Sequence, residues 1–441
     1  MKYIIGFSGG IDSVFVAWWL KQQWNQVFLI HLKNTTDPNK CCKPPLELFK
    51  QAQQLDLPIK IVDVVKDFKK EVIDYFVQTY VKGKTPNPCI KCNRAIRWQV
   101  LEKIRNQMWF DKIATGHYAR VAKIGKQPTL QQAHDLHKDQ TYMLRKIIFN
   151  KTLDGKPLLD VVEFPTGEKL KKEIKEIVKK NNLPVNISSE SQNICFVPDD
   201  DYPRFVHQNT NIKIPSWPIK HIQTWKYLWE HKGLIYYTIG QRRGLNLQAS
   251  QPLYVIKIDT ANNTLRVWEE KFLYHKAIPV VKLEFLKEVL SEEIFLSWKE
   301  SFEEGEVLSG KKSGDKKGIL EKTKILSNKE GLDRKENLDK KEPLGKKENL
   351  EETKILKGKE TLEKTEIWGE EKSFREKEIA RGKEIWGKIR YHWELLPVEQ
   401  IDLESNKVIF KKPHRSPTPG QHLVLYDKDW KVLGGWEIGE V

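Results

Sequence analysis

Lys2-Tyr3-Ile4-Ile5-Gly6-Phe7-Ser8-Gly9-Gly10-Ile11-Asp12-Ser13 is the stretch on which the reading of the whole chain turns. The apolar run from Tyr3 to Phe7 is rich in β-formers and stops at Ser8-Gly9-Gly10. Val14, Ala17, Trp18 and Leu20 then recur at helical spacing, so the stretch predicts strand, tight turn, helix. Ser8, Gly9 and Gly10 let backbone N–H groups converge, and the new helix adds the positive end of its dipole, a combination suited to phosphate. Asp12 does not suit a plain anion cradle. A carboxylate beside phosphate is explained when Mg²⁺ bridges them. No Gly-Lys-Ser or Gly-Lys-Thr follows, so this is not a Walker loop.

Outward from this turn, strand patterns at 27–32 and 59–65 alternate with helical patterns at 46–55 and 68–80. That alternation predicts an α/β domain with a doubly wound parallel sheet, whose ligand lies beyond the carboxyl ends of the strands. Gly83-Lys84-Thr85-Pro86-Asn87-Pro88-Cys89-Ile90-Lys91-Cys92-Asn93 reads as a stiff loop followed by a helix from Asn93 to Ile104. Cys92 is thereby expected at a helix N-terminus, where the dipole favours thiolate and suits a nucleophile or a metal ligand. A strand at 111–115 leads into a second glycine turn, Gly116-His117-Tyr118-Ala119-Arg120. Residues 164–180 begin Phe-Pro-Thr-Gly and then read as a basic helix, either an RNA-backbone contact or a solvated face, and Ile194-Cys195-Phe196-Val197 reads as a short β-like run.

The 441 residues have room for about three domains. The expected division is a catalytic domain at 1–204, a small mostly-β module at 205–275, and a C-terminal β-barrel at 276–441. Gln241-Arg242-Arg243 in the middle module could touch phosphates or form a charged turn. Residues from about 299 to 388 are Lys- and Glu-rich and repeat themselves: Thr-Lys-Ile-Leu at 323–326 and 353–356, Glu-Ile-Trp-Gly at 366–369 and 384–387. Sparse single apolar residues cannot bury a core, so this is read as a low-complexity insertion in the barrel. Seventy-six basic against 60 acidic residues give a net charge of +16, which fits a polyanionic partner such as nucleic acid. No apolar run is long enough to span a bilayer and the chain opens on a strand, so a cytoplasmic protein without membrane contact is expected. Five cysteines in such a chain point to chemistry rather than to a disulfide framework; Cys41-Cys42 has no derivable role.

Several strings in order resemble the tRNA-specific 2-thiouridylases of the PP-loop ATP pyrophosphatase superfamily. They are Ser-Gly-Gly-Ile-Asp-Ser (8–13), Thr-Pro-Asn-Pro-Cys-Ile-Lys-Cys-Asn (85–93), Ala-Thr-Gly-His-Tyr-Ala-Arg (114–120), Lys-Asp-Gln-Thr-Tyr (138–142), Ile-Cys-Phe-Val (194–197), Tyr-Thr-Ile-Gly-Gln-Arg-Arg-Gly-Leu (237–245) and Thr-Pro-Gly-Gln (418–421). The resemblance implies ATP on Gly6, Phe7, Ser8, Gly9, Gly10, Ile11, Asp12, Ser13, Leu32 and Gly116, with Mg²⁺. It implies Cys195 as the persulfide carrier and Cys92 as the second catalytic thiol, freeing sulfide or closing a disulfide with Cys195. The target base would lie against Asn87, Pro88 and Cys89; His117, Lys138, Asp139, Gln140, Arg390, Tyr391 and Gln421 match positions that touch tRNA. The implied partners are tRNAs for lysine, glutamate and glutamine and a cysteine desulfurase or sulfur-relay protein.

Three departures stand out. Cys89 replaces the usual Asp, so Cys89, Cys92 and Cys195 could alternatively hold an iron–sulfur cluster; zinc would want a fourth ligand. Val14 replaces a second Ser and Leu32 replaces Met. The rivals are another PP-loop ligase, which would need neither Cys92 and Cys195 nor the basic β modules, and a non-catalytic RNA-binding protein, against which Asp12, Cys92 and Cys195 together weigh.

Overall fold

The structure, a computed structural model, describes residues 1–35, 43–186, 194–197, 201–210, 215–285, 384–402 and 405–440. The Cys41-Cys42 pair and nearly all of the expected insertion lie outside the described residues.

The first domain is the parallel sheet foreseen from the opening stretch. Strands β1 (Lys2–Gly6), β2 (Gln26–Lys33), β3 (Ile59–Asp63), β4 (Lys112–Thr115) and β7 (Val162–Glu163) lie in the order β3-β2-β1-β4-β7, all pairs parallel. Helices α1 (Ile11–Gln22), α2 (Pro45–Gln54) and α8 (Lys171–Lys180) cover one face, where Tyr3, Ile5 and Phe7 meet Val14, Ala17, Ile174 and Val178. Ile4 is buried on the other face, against which α6 (Trp98–Gln107) packs. Burial on both faces explains why β1 is apolar at every position rather than alternately. The chain leaves β1 toward β2 on one side and reaches β4 on the other, so the Ser8–Ser13 turn sits at the switch point of the sheet.

Between β3 and α6 run α3 (Val65–Phe68), a π-helical turn (Lys69–Ile73), α4 (Asp74–Val81) and α5 (Pro88–Cys92). The antiparallel hairpin β5 (Arg120–Ile124) and β6 (Gln127–Gln131) and the short α7 (Thr141–Leu144) follow β4. Helix α9 (Tyr202–Gln208) closes a second core, in which the ring of Phe76 lies 5.0 Å from Tyr80, 5.2 Å from Phe196 and 6.1 Å from Phe205.

The middle module is a four-stranded sheet, β10 (Tyr254–Asp259), β11 (Thr264–Trp268), β8 (Trp217–His221), β9 (Tyr227–His231) in that spatial order. The last module is a closed barrel ordered β12 (Tyr274–Phe285), β15 (Lys407–Arg415), β14 (Leu396–Asp402), β13 (Trp386–Lys388), β16 (His422–Tyr426), β17 (Val432–Ile438). It is tied to the first domain: Tyr142 donates to the His422 carbonyl (2.8 Å) and Thr129 to that of Val432 (2.6 Å).

Four local expectations change. The basic helix expected directly after Phe164-Pro165-Thr166-Gly167 begins only at Lys171, because the turn closed by Gly167 N–H to the Phe164 carbonyl continues with Lys169 N–H to the Thr166 carbonyl. Ile194–Val197 is a turn, closed by Val197 N–H to the Ile194 carbonyl, not a β run. The helix expected from Asn93 begins at Pro88, capped by Asn87, whose side chain accepts from Ile90 N–H. Residues 386–388, hidden in the sequence by a repeat of Glu-Ile-Trp-Gly, form a barrel strand paired with β14 and β16.

Phe76 holds together the core shared by both candidate cysteines. Phe76→Ala is expected to destabilise the protein by about 3–5 kcal/mol, read from the urea midpoint. A loss under about 1 kcal/mol would show that this core closes without its central ring.

Candidate active site

The turn after β1 is built by its own side chains. Gly9 has φ +74° and Gly10 is extended, which turns the chain into α1. Ser13 Oγ donates to the Gly10 carbonyl (2.9 Å) and accepts from Ser8 N–H (3.3 Å); Gly10 N–H donates to Ser8 Oγ (3.3 Å). Gln51 of α2 donates to the Gly9 carbonyl (3.1 Å), and His31 Nδ1 lies 2.9 Å from the Phe7 carbonyl. Gly116, past the end of β4, presses against this turn. A Cβ there would stand 2.7 Å from Asp12 Cβ and 2.9 Å from Ser13 N, so only glycine allows the approach.

Asp12 is gripped by residues from two distant segments. Lys171 Nζ lies 2.7 and 2.8 Å from its two oxygens, and Tyr118 donates to one of them at 2.8 Å. Magnesium is commonly held by one carboxylate plus substrate phosphates. Asp12, in the first turn of the helix that follows this glycine turn, supplies the carboxylate of that donor set.

The cysteines gather beside the carboxyl end of β2. Cys92, Ile194 and Cys195 pack on the Phe76 core, as does Leu32 from the end of β2, and Asn34 Nδ2 lies 3.7 Å from Cys195 Sγ. Cys92 is not at a helix N-terminus. Helix α5 starts at Pro88 and runs through a π-helical turn (Asn93–Arg97) into α6, placing Cys92 more than a turn inside. The expected thiolate stabilisation is therefore absent. Burial pushes the Cys92 thiol up to about 11, with the Arg97 charge pulling it down and that of Cys195 pushing it up. Burial pushes Cys89 up to about 12, helped by Cys195 and Cys92. The three thiols thus feel one another's charge. Among the described residues, however, no three His, Cys, Asp or Glu side chains are grouped so as to hold a metal ion.

The residues expected to touch tRNA divide into two kinds. Gln421 of the barrel donates to the Thr85 and Pro86 carbonyls, both at 3.1 Å, and Thr85 N–H donates to the Pro419 carbonyl (2.9 Å). Gly420 (φ +87°) lies so close that a Cβ would reach within 2.9 Å of the Thr85 carbonyl oxygen. The barrel therefore clamps the loop bearing Asn87 and Pro88. Arg390 donates to the Ser416 carbonyl and to Thr418 Oγ1, and its Nε is buried without a partner. Burial lowers the His117 pKa well below the usual range, Arg97 reinforcing this. Arg97 donates to its Nε2 (2.7 Å), which leaves Nδ1 as the donor to Thr115 Oγ1 (2.8 Å). Asp139 is buried and accepts from Thr141 Oγ1 (2.7 Å) and Ala133 N–H (3.1 Å); Gln140 accepts from Tyr118 N–H (3.0 Å). These groups support the site from behind. Lys138 and Tyr391 remain partly exposed. Burial pushes the Tyr391 hydroxyl up to about 12, with the charges of Asp139 and Cys89 adding to it.

Four residues with a place here were not singled out from the sequence: Lys171, Tyr118, Asn34 and Arg97. Tyr118 lay inside a quoted string and Arg97 four residues after Asn93. Lys171 looked like any other lysine of a basic helix. Only its position beside the Pro165–Gly167 turn distinguishes it.

Two outcomes follow from this geometry. Gly116→Ala is expected to weaken ATP binding at least about tenfold, measured by calorimetry; unchanged affinity would show that the turn yields freely. Cys92 alkylation is expected to keep accelerating from pH 9 toward the thiol's pKa of about 11, because burial delays deprotonation. A plateau near pH 9 would contradict this.

Residues 1–199 match the family described as tRNA methyl transferase HUP domain, 204–269 its PRC-barrel domain, and 365–438 the aminomethyltransferase β-barrel domain. The chain is 33% identical over 285 residues to tRNA-specific 2-thiouridylase MnmA 2 of Clostridium botulinum, covering 64% of this chain and 78% of that protein. It is 34% identical over 307 residues to MnmA 1 of Clostridium tetani (68% and 82%), and 34% identical over 296 residues to MnmA of Leptospira interrogans (64% and 76%). With a PP-loop domain, a middle β module and a closed barrel in the same order, the chain belongs to the tRNA-specific 2-thiouridylase MnmA family.

Proposed function

We propose that this protein is a tRNA-uridine 2-sulfurtransferase that replaces the C2 oxygen of the wobble uridine with sulfur at the expense of ATP. The observation carrying this reading is that Cys92 and Cys195 pack on one core, at the edge of the sheet whose central strand feeds the Ser8–Ser13 turn. Nucleotide activation and sulfur delivery can then act on one base.

The uridine oxygen is a poor leaving group. Its attack on the α-phosphorus of ATP releases pyrophosphate and leaves an adenylated C2. Backbone N–H groups of the Ser8–Ser13 turn would hold the phosphates, and Asp12 would hold a Mg²⁺ that neutralises their charge. Cys195, loaded as a persulfide by a cysteine desulfurase or relay protein, supplies the sulfur. The terminal sulfur bonds to C2 and AMP departs. Cys92 then attacks the inner sulfur of Cys195, the S–S bond of the persulfide breaks, and a Cys92–Cys195 disulfide forms. An external thiol reductant restores both. The raised thiol of Cys92 suits this late role, since a thiol kept protonated does not strip Cys195 before the base is activated. The persulfide route is preferred to a cluster because no ligand group of three is assembled among the described residues.

The base must leave its stack to reach the cleft. The loop at Asn87 and Pro88, braced by Gln421, forms its expected wall, with Lys138, Tyr391 and the basic surface holding the phosphates of the tRNA. Cys195→Ser is expected to abolish 2-thiouridine while leaving tRNA-dependent pyrophosphate release measurable. Asp12→Ala is expected to abolish both with tRNA binding retained. Nucleoside mass analysis and pyrophosphate release read the two steps; full thiolation by either variant removes that residue from the mechanism.

A further inference from the structure

Lys171 belongs to none of the strings that mark the site, yet its ammonium bridges both oxygens of Asp12 at 2.7 and 2.8 Å. Its side chain is 10% exposed against 28% for Asp12. Other lysines of α8, Lys172, Lys179 and Lys180, are exposed. The start of α8 is braced: Lys171 N–H donates to Asp135 (3.0 Å), Leu170 N–H donates to Glu173 (2.8 Å), and Ile174 and Val178 are buried under α1. The Lys171 ammonium also lies 5.5 Å from the centre of the Tyr118 ring. A buried lysine carried to the mouth of a phosphate-binding turn is costly unless its charge is matched.

The geometry points to Lys171 as a further catalytic residue, the cation that meets the pyrophosphate leaving group. In the nucleotide-free chain it rests on Asp12. With ATP bound, Asp12 would be free to hold the metal, and Lys171 lies within reach of the phosphates. As the uridine O2–Pα bond forms and the bond from Pα to the bridging oxygen breaks, the electron pair passes to pyrophosphate. Lys171 keeps its proton and offsets that charge. This rests on the adenylation chemistry proposed above.

The test uses the full chain with Lys171→Met and Lys171→Arg. Lys171→Met is expected to lose roughly 10²–10³-fold in pyrophosphate release and about tenfold in ATP affinity by calorimetry, with tRNA affinity unchanged. Lys171→Arg is expected to keep the wild-type melting temperature and recover only part of the rate. Wild-type ATP affinity in Lys171→Met, or full recovery of rate in Lys171→Arg, overturns the assignment and leaves a structural ion pair. If the wild-type enzyme releases no pyrophosphate with tRNA, the function proposed above fails, while ATP calorimetry still decides the role of Lys171.

A second inference comes from the backbone. Ten non-glycine residues among those described have positive φ. Five are Asn or Asp, which tolerate this region, and one is Ser416; the other four are Trp24, Trp109, Trp225 and Trp430, at φ 60°, 56°, 57° and 61°. Each stands where a chain reverses. Trp24 N–H bonds to the Lys21 carbonyl just past α1, Trp109 to Asn106 past α6, Trp225 to His221 between β8 and β9, and Trp430 to Asp427 between β16 and β17. These are glycine's positions. Arg266 lies over Trp225 and Trp386 tilts against Trp430, but Trp24 and Trp109 are 96% and 82% exposed and repay none of the strain.

We infer that these four positions carry glycine in the protein as made by its own cells, through a codon such as UGA that different genetic codes assign to tryptophan or glycine. Trp98, helical and fully buried, is by contrast an ordinary core tryptophan. Peptide mass spectrometry of the protein from its own cells is expected to find glycine at 24, 109, 225 and 430 and tryptophan at 98; tryptophan at the four positions refutes the inference. In the recombinant chain, Trp24→Gly and Trp109→Gly are expected to raise the melting temperature and Trp98→Gly to lower it. A fall for either of the first two contradicts the strain argument.

Discussion

The contact between Asp12 and Lys171 is the constraint around which the catalytic domain closes. Asp12 is fixed in the first turn of α1, Lys171 is the first residue of α8, and Tyr118, which shares the carboxylate, follows β4. Three segments far apart in the chain are thus held at one point beyond the sheet. At an effective dielectric of 20, unit charges 4 Å apart attract by about 4 kcal/mol, while desolvating them costs several. Such a pair adds little net stability but fixes geometry. It also leaves a matched cation and anion at the turn where the proposed function would seat a triphosphate and its metal.

Around that point, glycine at 116 lets β4 approach the turn as a larger residue could not. The approach brings Tyr118 onto Asp12 and sets His117 between Thr115 and Arg97. Asp139 and Gln140 hold this segment in place: one accepts from Thr141 Oγ1 and Ala133 N–H, the other from Tyr118 N–H. Residues that a family pattern associates with RNA can therefore matter by shaping the surface that the RNA meets.

The barrel works in the same way from the other side. Gln421, Pro419 and Gly420 bind the backbone of Thr85 and Pro86, and Gly83 packs against Ile258 and Thr260 at the end of β10. The loop before Cys89 and Cys92 is thus in contact with both accessory modules. Under the proposed function, a tRNA resting on those modules would press on the loop that leads into Cys89 and Cys92.

The sequence by itself determined the parallel sheet, the place of the nucleotide turn and the barrel, because those features rest on local pattern: β1 apolar throughout, helical spacing after Ser13, alternating strands at the end. It also marked Asp12, Cys92 and Cys195 through short strings whose chemistry is specific. Tertiary structure alone decided what those residues touch. Lys171 reads as one more lysine of a basic helix until α8 packs on α1 and carries it to Asp12. The Cys92 thiol reads as a helix-end nucleophile until Asn87 caps the helix five residues earlier and the Phe76 core buries the sulfur. Burial and through-space charge depend on partners brought together from distant parts of the chain, and no local pattern encodes them.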